Sequence, residues 1–171
     1  MMGEFLRCST LDDAWFFLNQ AKGLPNVPST RALQQRYIHA CILFSWMALE
    51  DMTDYAIENR VKGKVSTTVR PKALRARLDL ALQAIGETPV EVGAYSKARK
   101  PRNQLTHPTQ AGVRGLEYRL EDARYVFDFC SSLITRLFNG QVIWGTETPT
   151  AMYSISAKAL REKMRLLATR G

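Results

Sequence analysis

Ala40-Cys41-Ile42-Leu43-Phe44-Ser45-Trp46-Met47-Ala48-Leu49 is the longest apolar run in the chain, broken only by Ser45. It lies in a segment that Ser29 caps and that extends as helix to about Arg60, ahead of Gly63. Leu33, Tyr37, Cys41, Phe44, Met47 and Ala48 recur there at helical spacing. Within the run the helix is apolar almost all round. Such a helix is covered on more than one side, by its own bundle or by a second subunit. The run is far too short to span a bilayer.

The flanking sequence reads as further helix. Thr10 and Asp13 resemble a capping box, and Leu11, Ala14, Trp15, Leu18 and Ala21 follow, predicting a helix over about 10–21. Gly23, Pro25 and Pro28 end it. Pro71 suits a first helical turn, and Leu74, Leu78, Ala81, Leu82 and Ile85 form an amphipathic stripe that Gly86 stops. Thr88-Pro89-Val90-Glu91 combines a capping box with proline at the first helical position. Pro101 is expected to kink or break the helix so opened. Leu116, Leu120, Ala123, Phe127, Cys130, Ile134 and Leu137 predict another helix, ended by Asn139-Gly140. A basic helix is expected over about 156–170. Apart from Gln141 to Trp144, no strand-like alternation is visible. The expected fold is all-α: one domain over 1–171, an antiparallel bundle of four to six helices with its core at about 29–138.

Composition narrows the partners. Apolar residues make up 46% and charged residues 23%, as in soluble globular proteins. Lys and Arg number 24 against 16 Asp and Glu, a net charge of +8. That excess suits a polyanion, nucleic acid first. Cys8, Cys41 and Cys130 are scattered without CxxC spacing, so neither a disulfide framework nor a zinc site is indicated. Cys41 and Cys130 read as small core fillers. No metal or cofactor motif is present, no membrane span is expected, and Glu4, Asp12 and Asp13 do not suit a secretory leader. A cytoplasmic location is the expectation.

Against this background Arg102-Asn103-Gln104-Leu105-Thr106-His107 stands out. It places a permanent cation, an amide and one of only two histidines within roughly one and a half helical turns. A guanidinium binds phosphate bidentately, and an imidazole transfers protons near neutral pH. Asn103 and His107, four apart, share a helix face, while Arg102 points about 140° away from His107 and reaches back with its long side chain. Lys97, Arg99 and Lys100 precede the motif as candidates for an RNA backbone. Arg70, Lys72, Arg75 and Arg77 form a second basic cluster, and Lys158, Arg161, Lys163 and Arg165 a third. Tyr95 and Tyr118 suit either base stacking or the core. His39, inside the apolar stretch, reads as structural.

Arg-Asn-x-x-x-His late in a helical bundle, followed by a loop and a long amphipathic helix, resembles the HEPN superfamily over roughly 29–138. That resemblance implies an all-α dimer and a metal-independent endoribonuclease acting as a toxin or in antiviral, abortive-infection defence. It implies that Arg102 holds the scissile phosphate, that His107 transfers the proton and that Asn103 orients one of them. Two His107 side chains in a composite dimer cleft would supply acid and base. An antitoxin or a defence-complex subunit would be the protein partner. Glu50 or Asp54 on the long helix is the candidate to orient Arg102. The other readings are a non-catalytic RNA-, nucleotide- or partner-binding module, or a purely structural helical dimer. Apart from the resemblance, Asn103 and His107 read as a polar pair closing a helix, and the acids as a solvated face or as ion pairs with nearby arginines.

Overall fold

Pro28 opens the helix that organises the molecule. Its fixed φ suits a first helical turn, and its missing N–H is one that a helix start leaves unpaired anyway. In the computed structural model, which describes residues 6–61, 72–107 and 117–144, this helix runs Pro28–Ala56 and continues into a π-helical turn, Ile57–Val61. Val27, in extended conformation, takes the cap position expected of Ser29. In chain order the elements are β1 (Leu6–Arg7), α1 (Ser9–Gly23), α2 (Pro28–Ala56), α3 (Leu74–Ala84), α4 (Val92–Thr106), α5 (Leu120–Leu137) and β2 (Val142–Ile143). The described chain is therefore all-α apart from one short strand pair. The expected helix at 156–170, Pro71 and residues 108–116 lie outside the described residues.

α2 packs against each of the other four helices. Its buried positions fall on two adjoining faces, with Cys41, Ser45, Ala48 and Met52 on one and Ile38, Ile42, Trp46 and Leu49 on the other. Ser45 and Thr53 are fully buried, and their hydroxyls donate to the carbonyls of Cys41 at 2.7 Å and Leu49 at 2.6 Å. Back-bonding one turn up the helix lets polar residues sit in an apolar core. Leu33 and Met47 face outward, unlike the rest of the expected stripe. They are fourteen positions apart, within about 40° of each other around the axis, and Met47 lies about 200° from buried Leu49.

α1 buries Leu11, Ala14, Leu18 and Ala21 against α2. Its predicted capping box is not formed. Cys8 occupies the cap, and the first-turn acid is Asp12, held by Arg7 at 2.9 Å. A carboxylate there complements the positive end of the helix. Arg7 is presented by β1, which pairs in parallel with β2 in the register Leu6–Val142 and Arg7–Ile143. The short alternation at Gln141 to Trp144 thus becomes a strand, while β1 carries too few residues for a legible pattern. The clip brings Trp144 against Phe127 and Trp15, with ring centroids 5.0 and 5.9 Å apart. α5 ends as expected, with Asn139 and Gly140 both at positive φ.

All three cysteines are buried. Burial pushes the thiol of Cys8 up to about 11 and that of Cys41 up to about 12, so both stay protonated and unreactive near neutrality. Among the described residues no helix is long and apolar enough to cross a membrane, and no cluster of His, Cys, Asp and Glu could hold a metal ion.

Phe127 is 1% exposed and joins α5 to Trp15 and Trp144. Phe127→Ala is expected to cost about 3–5 kcal/mol. Urea unfolding followed by circular dichroism measures it, and a loss below about 1 kcal/mol would contradict this packing.

Candidate functional site

The site is carried by α4, and α4 is fixed at both ends. Glu91 caps it, its carboxylate accepting from the amides of Gly93 at 2.7 Å and of Ala94. A Cβ on Gly93 would stand 3.0 Å from that carboxylate, so the bare glycine gives the cap its room. The expected cap, Thr88, is used elsewhere: Arg136 of α5 donates to its carbonyl at 2.8 Å and ion-pairs with Glu87 at 3.1 Å. The amides of Ala94 and Gly93 hold the Glu91 carboxyl below its ordinary value of 4.5.

Midway, the Trp46 indole donates to the carbonyl of Ala98 at 3.2 Å and meets Tyr95 edge-on at 5.5 Å. This docks α4 on α2. Tyr95 is 5% exposed, so it belongs to the core and is closed to base stacking. Of the kink or break expected at Pro101, the break does not occur: α4 runs through it. The carbonyl it leaves without a donor belongs to exposed Lys97, where water can serve. Toward the end of α4, Tyr118 donates to Gln104 Oε1 at 2.8 Å and lies 3.4 Å from the carbonyl of Pro101. Gln35 binds both the amide and the carbonyl of Tyr118, at 3.0 and 2.8 Å, and His39 meets the Tyr118 ring edge-on. Tyr118 and His39 therefore brace the end of α4 against α2.

Arg102 extends from this braced helix to Glu50 of α2, Nη2 to Oε1 at 3.3 Å, and its Nη1 donates to Asn103 Oδ1 at 3.4 Å. Such a half-exposed pair stabilises the fold by roughly 0–1 kcal/mol. Its effect is to aim the guanidinium. Asp54, one turn beyond Glu50, has a different partner and pairs with Arg77 of α3 at 3.0 Å. The two acids on one face of α2 thus each hold an arginine from a different helix.

Between these attachments lies a half-open groove of about 350 Å³. Lys72, Arg75 and Arg77 line it from the α3 side, and Arg99 and Arg102 from α4. Glu50 is its acid, and Trp46 and Tyr95 contribute its apolar lining. Burial raises the Tyr95 phenol above its ordinary value of 10, against the opposing pull of Arg99.

The structure sorts the candidate residues. Arg102, Asn103 and Glu50 are together, and Arg99 lines the same groove. Lys97 turns to the other side of α4, its ammonium 4.3 Å from the centroid of the Tyr125 ring. Lys100 is exposed and outside the groove lining. His107 caps the C-terminus of α4 in a non-helical conformation, as a residue before proline requires, with its amide bound to the Asn103 carbonyl at 2.9 Å. Its imidazole is exposed at the helix end and does not line the groove. Lys72, Arg75 and Arg77 join the site although sequence spacing set them apart. The available signal was the Glu50–Asp54 pair, which offers two anions on one face to two arginines.

The depressed Glu91 carboxyl gives a pH test. Its contribution to α4 is complete above the unfolded value near 4.5 and is lost as pH falls through the lower folded value. Glu91→Ala is therefore expected to be less stable than the parent at pH 7, with the difference closing toward pH 3. Thermal melts across that range check this, and a pH-independent difference would contradict it. The chain matches no family model, no curated protein and no solved structure.

Proposed function

We propose that this chain is a metal-independent endoribonuclease of the HEPN type, acting as a toxin or antiviral defence effector. The observation that carries the reading is Arg102, aimed by Glu50 into a groove with four further cations. A guanidinium in that setting binds a phosphodiester bidentately and stabilises the extra charge of a pentacoordinate transition state. The 2′-hydroxyl attacks the adjacent phosphorus, forming the new P–O bond as the 5′-oxygen leaves. One imidazole takes the hydroxyl proton and another protonates the departing oxygen. The products are a 2′,3′-cyclic phosphate and a 5′-hydroxyl. Two copies sharing a cleft would supply the two His107 imidazoles.

A second reading has a specific observation in its favour. His107 stands outside the groove that Arg102 lines. A non-catalytic module would hold RNA, a nucleotide or a defence-complex partner at the same cations without cutting.

Incubation of labelled single-stranded RNA in EDTA separates the two. The parent is expected to cleave to cyclic-phosphate ends, with Arg102→Ala and His107→Ala each slowing the reaction about 100-fold or more. Equal RNA binding by all three proteins without cleavage would reject the nuclease in favour of the binding module.

A further inference from the structure

We infer that Lys72, Arg75 and Arg99 form a second phosphate subsite beside Arg102, so that the groove grips the RNA backbone at two successive phosphates. This rests on the RNA reading above. The five groove cations are not equivalent. Arg77 is the most buried; it ion-pairs with Asp54 at 3.0 Å without a hydrogen bond to it, and it donates to the carbonyl of Lys72 at 2.9 Å. It fastens α3 to α2. Arg102 is aimed by Glu50. Among the described residues Arg75 keeps only a long contact of 3.8 Å to Asp79, and its Nε has no hydrogen-bond partner. Lys72 and Arg99 are exposed and have no acidic partner among the described residues. Three weakly committed cations therefore stand on two opposed walls of one groove, beside a cation already aimed.

Their placement fits a strand. Arg99 lies one turn before Arg102 on the same side of α4, a rise of about 4.5 Å along the axis. Lys72 and Arg75 face it from the start of α3. Ala73 caps α3 and has no side chain to satisfy the first-turn amides, while Ala73 and Leu74 line the groove. The positive end of α3 thus adds to the field of the side chains. Arg99, Arg102, Arg75 and Glu50 line one groove together with Tyr95, as a shared subsite needs.

The test is fluorescence anisotropy of labelled single-stranded RNA with the full chain in EDTA, in a His107→Ala background, over a salt series. Lys72→Ala/Arg99→Ala changes only exposed side chains. It is expected to weaken binding about tenfold or more and to lower the log–log salt slope by about 0.7, for the one phosphate lost. Lys97→Ala, on the other side of α4, is expected to leave both unchanged. Unaltered affinity and slope in the double variant, with Arg102→Ala still weakening binding, would overturn the second subsite and leave the RNA reading standing. Absence of RNA binding by the parent chain would overturn both. Displacement of the RNA by ATP at equal phosphate concentration would assign the subsite to a nucleotide and overturn the inference.

Discussion

α2 has to be covered on two adjoining faces, and the rest of the molecule follows from that. Ile38, Cys41, Ile42, Trp46, Ala48 and Leu49 are all nearly inaccessible, so no single neighbouring helix suffices. α1 and α5 supply most of the cover, and α3 and α4 complete it. Full burial of a large apolar side chain stabilises by about 1.5–3 kcal/mol, which outweighs any ion pair at the groove. The polar face of α2 is then left at the seam between α3 and α4. Glu50 and Asp54 sit on that seam.

The same two acids connect the fold to the proposed chemistry. Each gathers an arginine from a different helix, and the gathering assembles a basic groove from segments more than twenty residues apart. The energetic contribution of each pair is small, while its directional effect is large. A guanidinium tethered at 3.3 Å on one edge still offers its remaining N–H groups to a phosphate. The groove is a site of position and charge, carried on a helix that Glu91, Trp46 and Tyr118 hold in place.

Much of the helical pattern was legible because burial imposes its period on sequence. The α5 stripe from Leu120 to Leu137, with its Asn139-Gly140 stop, is an instance, as is Gly86 after α3. The caps were less legible. Thr10, Ser29 and Thr88 all had the right composition, yet Cys8, Val27 and Glu91 hold the positions. Cap choice depends on competing partners such as Arg136, which claims Thr88 from a distant helix. Pro101 likewise reads as a kink or break, since propensity carries no knowledge of the anchoring by Trp46 and Tyr118 around it. Of the candidate residues read from the sequence, Arg102, Arg99 and Glu50 line one groove and Asn103 is bonded to Arg102. Lys72, Arg75 and Arg77 read as a separate basic cluster because their convergence with α4 is a tertiary fact. Lys97 is near Arg99 in sequence but stands on the other side of α4, over the Tyr125 ring.

The most direct measurement is photo-cross-linking of thiouridine-containing single-stranded RNA to the full chain, with the adducts mapped by mass spectrometry. Adducts confined to residues 72–77 and 95–102 would place the strand in the groove between α3 and α4. Adducts on the side carrying Lys97 and Tyr125, or none on either segment, would contradict it.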